Sequence, residues 1–290
     1  MPIMTEGLAE AEKISDENRA AGTFRLPQLV IKDGETFAVH FITEQNKFIT
    51  MNVHQFIETK PKPEDWPGSN YPKSMWAVCQ LDRAFRLRDA DGNMLDEYED
   101  GYGKCYIHES LAGQKDPKFG GDMAKPASQT YGLAVLRKPV HDAVSGNVVG
   151  FADEMVEFTD DKGVKYQIPK LVIVSQKFSN FWHPVKATAY LPPYTILDKD
   201  YLISRKGNDY TVGVASHTPE LKPGTPAWGR YEEALKLTGF NLAAYLIDHS
   251  TADHYARFFI PGATPSGGYG KRGADDEAAD GGASPAADGS

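Results

Sequence analysis

The chain is expected to be mainly β with accessory helices, an α+β protein whose strands form a small barrel and whose helices gather near the C-terminus. Three observations predict this. Short alternating apolar segments recur between turn signals from residue 26 to residue 215. The period then changes from two to 3.6 over residues 228–248. Hydrophobic residues make up 41% of the chain, enough to fill a core, and no internal repeat is visible.

The elements follow in order. Residues 26–43, LPQLVIKDGETFAVHFIT, read as a hairpin: a short strand, a turn at Asp33-Gly34, and a second strand in which Thr36, Ala38 and His40 alternate with Phe37, Val39 and Phe41. Residues 47–59 alternate again as a strand. Pro61, Pro63, Pro67 and Pro72 make residues 60–74 a loop, because proline brings no N–H to a ladder. A strand is expected over residues 75–87, followed by a turn at residues 89–93 (DADGN). Residues 111–128 form a Gly/Pro/Lys loop whose length points to function. Strands follow over residues 131–137, 148–158 and 166–175, and residues 178–182 read as a short helix or turn before Pro184. Residues 200–205 and 210–215 flank Lys206-Gly207-Asn208-Asp209 as a second hairpin. Tyr231, Leu235, Leu242, Tyr245 and Leu246 share one stripe of a helix or helix pair over residues 228–248, and residues 251–259 make a last short helix.

At roughly 150 residues per domain, 290 residues make one large domain or two small ones. The net charge of -9 argues against a nucleic-acid binder when taken whole. Its distribution removes that objection: residues 1–22 and 263–290 are each net -3, which leaves the 240 residues between them near neutrality. The expected organisation is an acidic arm at 1–22, a core at 23–262 with a β subdomain at 26–110, and a tail at 263–290. The tail has no Val, Ile, Leu, Met, Phe or Trp, so it cannot offset the entropy of ordering and is expected to be disordered. Asp275, Asp276, Glu277 and Asp280 make it either a solubilising tail or a partner-binding one. No apolar run reaches the ~18 residues of a membrane helix, and the first 25 residues hold no apolar block of signal-peptide type. Two cysteines exclude a disulfide scaffold and suit a reducing compartment, so a cytoplasmic protein without membrane association is expected.

Enzyme motifs are absent: there is no phosphate-loop lysine motif, no GxGxxG, no GxSxG and no HExxH, and the carboxylates are scattered. A binding protein rather than an enzyme is expected. One set of residues suits a structural Zn2+. His54, Cys79, Cys105 and His108 offer two imidazoles and two thiolates, and Cys105 and His108 have the spacing that lets two ligands grip one tetrahedral ion. His54 and Cys79 lie 25 residues apart, so folding alone can bring them in. Without a metal, the same four are two ordinary cysteines and two packed or surface histidines.

A broader pattern interleaves cations with aromatics, as single-stranded nucleic acid requires: rings stack on bases and cations meet phosphates. Trp76, Arg83, Arg86 and Arg88 come first, then Tyr106, Lys125, Tyr131 and Arg137. Lys177, Trp182, Lys186 and Tyr190 follow, and Arg205 and Lys206 close the series. Trp76, Tyr106, Tyr131, Trp182 and Tyr190 are the pool of base platforms, whereas Phe37, Phe41, Phe151 and Phe158 are expected in the core. Exposed aromatics would equally serve a carbohydrate-binding β-module.

These residues resemble the single-stranded DNA-binding proteins of tailed bacteriophages, of the T-even helix-destabilising type. LVIKDGETFAVHFIT resembles that family's first strands, TYGLAVLRKPV its first barrel strand and KDYLISRKGNDYTV its late hairpin, and the acidic Gly/Ala/Asp tail closes the chain in the same way. The resemblance implies an OB-fold, a Greek-key barrel with a basic cleft, over roughly residues 25–262. It implies binding and unfolding of transient single strands in phage DNA replication, recombination and repair, inside the host cell, with partner proteins recruited by the tail. The T-even member holds zinc through one His and three Cys. His54, Cys79, Cys105 and His108 follow that order, with histidine in place of the last cysteine and a longer gap between Cys79 and Cys105. The family's basic N-terminal arm has no counterpart in the acidic residues 1–22. Two rival classes fit the same composition: a phage structural or carbohydrate-binding β-protein, and a metal-dependent nuclease.

Overall fold

Alternating apolar side chains are covered here by antiparallel ladders. The structure, a computed structural model, describes residues 26–44, 47–64, 66, 71–116, 120–160, 162–188, 195–207 and 209–263. The strands are β1 (Thr36–Phe41), β2 (Ile49–Glu58), β3 (Ser74–Val78), β4 (Arg86–Arg88), β5 (Met94–Tyr98), β6 (Ala127–His141), β7 (Val148–Asp153), β8 (Met155–Thr159), β9 (Lys165–Pro169), β10 (Leu171–Gln176), β11 (Lys199–Lys206) and β12 (Asp209–His217). The protein is mainly β, with a few helices. Two units are interleaved along the chain. The first takes residues 50–129 and 241–263 of the described chain, and the second takes 26–49 and 130–240. The expected β subdomain at 26–110 is therefore not a unit. Its first strand pairs with β6 and β11, far ahead in the chain.

In the second unit the ladders run β12-β11-β1-β6, and β10 and β7 also pair with β6. β1 is central, and Ala38, Val39, His40 and Phe41 are all buried. Val39 lies opposite Tyr201 on one side and Leu136 on the other. Among the described residues no pairing joins β12 back to β10 or β7, so the sheet is open. Gly132 in β6 lets the core close: a Cβ there would stand 2.9 Å from the rings of Phe48 and Trp182. The helix Pro226–Thr238 starts at Thr225, whose side chain accepts from the Trp228 N–H, with proline in the first turn. It stops at Gly239, where φ is 61°. That stop divides the stripe over residues 228–248 into a helix pair, and Asn241 caps the next helix, Leu242–Asp248.

A buried ionic group ties that helix to the strands. Arg137 pairs with Asp153 and reaches Asp200, and Arg230 meets Asp153 at 2.7 Å. Tyr231 donates to Asp153, and His40 lies between Asp200 at 3.1 Å and the Leu221 carbonyl at 3.0 Å.

The first unit is built on β2 and β3, which pair antiparallel with Val53 opposite Val78 and His54 opposite Ala77. A separate hairpin joins β4 to β5. Trp66, Met75, Ala77, Cys79, Cys105, Ile107, Tyr255, Phe258 and Phe259 form one buried cluster. The short helix Tyr106–Ser110 and the helix Ala252–Phe258 supply part of it.

Several expectations are corrected. Residues 26–31 do not form a hairpin with β1; Leu29 donates to Ile173 and Gln28 makes one parallel bridge to it. The strand expected over 75–87 ends at Val78, because the chain turns through Arg83–Phe85 with Asp82 as cap. The strands expected over 148–158 and 166–175 each break in two, at Glu154 and Lys170. There the Lys170 N–H donates to the Glu154 carbonyl, and the two side chains pair at 2.7 Å. The short helix Tyr106–Ser110 and strand β5 were not expected. The acidic arm at 1–22 and the tail residues Asp275, Asp276, Glu277 and Asp280 lie outside the described residues.

Candidate metal centre and nucleic-acid interface

Three separate elements of the first unit carry the four candidate ligands. His54 projects from β2 at the point where the register with β3 shifts. Cys79 follows the last residue of β3, and its N–H is held by the Asn52 carbonyl at 2.8 Å. Cys105 caps the helix Tyr106–Ser110, and His108 lies one turn into it. A residue and the third one after it share a helix face, so Cys105 and His108 are presented together.

All four meet. The Cys105 sulfur is 3.4 Å from Nε2 of His54. A tetrahedral zinc with bonds of 2.0–2.3 Å would set sulfur and nitrogen about 3.5 Å apart. Ligand atoms of His54, Cys79 and His108 lie within 4.8 Å of one another. The two sulfurs are hydrogen-bonded to each other. Nδ1 of His108 is buried and has no hydrogen-bond partner, a costly state that a bound ion would relieve. His54 faces Cys105 through Nε2, and its Nδ1 is also buried without a hydrogen-bond partner.

The protonation chemistry is that of a thiolate pair. The Cys79–Cys105 hydrogen bond is the main reason Cys105 is pulled down to about 3, with His54, Tyr255 and the His108 N–H also favouring its anion. The same bond, helped by burial, pushes Cys79 far up, so Cys79 keeps the shared proton. Backbone N–H groups of Leu81 and His108 point at the two sulfurs. Such outer contacts are typical around metal thiolates. Tyr255 is the residue the sequence reading missed: its hydroxyl is 3.4 Å from the Cys105 sulfur, across 150 positions of chain. No local pattern signals it.

The nucleic-acid candidates scatter, and several are corrected. Tyr131 and Trp182 are buried in the second unit, and the Trp182 indole N–H donates to the Thr130 carbonyl at 2.7 Å. Neither leaves a ring face for a base. Trp76 lies flat on His249, with 4.0 Å between ring centroids. Tyr106 is half-buried against the first unit's core. Arg137 is buried with Asp153 and Asp200 and does not face solvent. Tyr190 lies outside the described residues. Arg83 and Arg88 are exposed, but Arg86 bonds Asp96 and Tyr98, and Arg88 bonds the Gly92 carbonyl. Residues 86–100 carry six acids and two bases, so this hairpin repels phosphate. Lys125, Lys177 and Lys206 are exposed, and Lys186 and Arg205 are half-buried.

On the second unit Arg205 and Lys206 stand beside a ring, although Arg205 also bonds the Gly207 and Ile31 carbonyls. Arg205 and Tyr210 are opposite each other in the β11–β12 hairpin, with the guanidinium 5.8 Å from the ring centroid. Lys206 is next to Arg205, and Tyr210 touches Phe181 in the turn Phe178–Trp182 that follows Lys177.

Among the described residues no helix is long and apolar enough to cross a membrane. Comparison with protein-family models, with curated proteins and with solved structures finds no match.

Proposed function

We propose that the chain is a sequence-tolerant single-stranded DNA-binding protein of phage replication, recombination and repair, organised around zinc in its first unit. The observation that carries this reading is the clustering of ligand atoms of His54, Cys79 and His108, with Cys105 in contact with His54 and Cys79. They occur along the chain in the ligand order that the resemblance implies. Zinc bound there supplies a cross-link, since four protein ligands leave no open position for chemistry. An OB-type barrel in the second unit belongs to the same proposal, supported by the antiparallel order β12-β11-β1-β6 with β10 beside β6.

The strand is proposed to cross the late hairpin, where Lys177, Arg205, Lys206 and Tyr210 combine cations with a half-exposed ring. This is the stretch KDYLISRKGNDYTV that resembles the family most specifically. The acidic tail, with Asp275, Asp276, Glu277 and Asp280, is proposed to recruit replication and recombination proteins.

A gel shift of oligo-dT against duplex, at two salt concentrations, tests the reading. Oligo-dT should bind far more tightly, and its affinity should fall with salt as counterions are released. Equal affinity for duplex, or no binding to either, rejects it; cleavage in magnesium would support a nuclease instead.

A further inference from the structure

The zinc reading leaves open what the C-terminal helix Ala252–Phe258 does at the centre. Tyr255 stands on that helix and is buried among the same residues as Cys79 and Cys105. Its hydroxyl has one proton and two acceptors within reach: the Val78 carbonyl at 2.9 Å and the Cys105 sulfur at 3.4 Å. Val78 is the residue immediately before Cys79. In the structure that proton goes to the Val78 carbonyl, which can only accept, and the Cys105 sulfur is the second partner.

The helix and the residues leading into it are tied to β3 and the residues just after it by further bonds. The Val78 N–H donates to the His249 carbonyl at 3.0 Å, and the Gln80 side chain donates to the Ser250 carbonyl at 3.0 Å. Nε2 of His254 meets the Trp76 carbonyl at 3.1 Å. Among these contacts, Tyr255 alone reaches a sulfur.

We propose that Tyr255 is an outer ligand of the zinc centre, its hydroxyl proton turning from the Val78 carbonyl to the Cys105 thiolate when zinc is bound, so that the metal holds the helix Ala252–Phe258 against β3. This rests on the zinc reading. A thiolate bound to zinc keeps negative charge, and an O–H aimed at it makes a charge-assisted bond. Outer-shell donors of this kind alter metal affinity by about 10–100-fold when removed. Tyr255 is a positioning residue: it touches a ligand, not the ion.

The test is Tyr255→Phe in the full-length chain, with zinc affinity read by competition against a chelating dye. The variant should bind zinc about 10-fold more weakly and shift the sulfur-to-metal absorption of the cobalt-substituted protein. Phe258→Leu, on the same helix at a side chain that has no hydrogen to donate to a sulfur, should lower thermal stability and leave zinc affinity unchanged. In the wild type, zinc loading should slow amide exchange over residues 252–258, a readout that does not depend on the variant folding. Wild-type affinity in Tyr255→Phe, or exchange indifferent to zinc, overturns the inference while the zinc reading stands. A wild-type chain that takes up no zinc overturns both.

Discussion

The two units differ in how they bury charged and ligand-type groups. In the second, each buried charge is answered from within the chain: Arg137 and Arg230 meet Asp153, while Asp200 receives Arg137, His40 and Ser216. In the first, two imidazole nitrogens, on His54 and His108, are buried without partners beside two sulfurs that share a proton. A buried polar atom without a partner costs roughly 1–3 kcal/mol, and the two rings, with centroids 6.3 Å apart, stand in the same cluster as Cys79. The contrast separates a unit whose buried charges the chain answers by itself from one that, on the zinc proposal, a metal would complete.

The largest expected effect breaks the first side of that contrast. Cys105→Ser should reduce zinc from one per chain to none by elemental analysis. It should also remove a contribution on the order of 10 kcal/mol, the scale of structural zinc at neutral pH. Amide exchange should rise in β2, β3 and the helix Ala252–Phe258, and β1, β6 and β11 should keep their protection. A chelator should reproduce this in the unaltered chain, and unchanged melting after chelation would remove the metal from the account.

Asp200→Asn strikes the second unit. It leaves Arg137 and His40 facing a neutral amide, at a cost of roughly 3–5 kcal/mol for breaking a buried pair. Chemical denaturation measures the loss, and zinc content should not change. Gly132→Ala forces a methyl group against Phe48 and Trp182, where the open distance is only 2.9 Å. Overpacking of this kind costs about 1–3 kcal/mol, and Trp182 fluorescence should report the displaced ring. The smallest effect is Thr225→Ala, which removes the cap of the helix Pro226–Thr238. A loss of about 1 kcal/mol is expected, read as a small shift in the denaturation midpoint of the second unit alone.

Much of the secondary structure was legible because it rests on local chemistry. The hairpin at Lys206-Gly207 and the turn at residues 89–93 follow from residues within a few positions of one another. The short helix Tyr106–Ser110 was not legible, because it is five residues long and its apolar side, Ile107, is defined by what covers it. Arg86 and Arg88 were recognised as a basic pair, but the β4–β5 pairing places them among acids.

The sequence by itself determined the types and order of the groups: a mainly β chain, helices near its end, two thiols and two imidazoles with one close pair, and clustered cations and rings. Only the tertiary structure decided which of these meet. It brought His54 to Cys105 across 51 positions and Tyr255 to Cys105 across 150. It also buried Tyr131, Trp182 and Arg137, which composition alone had made candidates for the surface. The physical reason is one of range. Turn, cap and period signals act over one to four residues, whereas burial and long-range contact depend on which strands pair. That pairing is settled by the summed apolar area of the whole chain rather than by any local stretch.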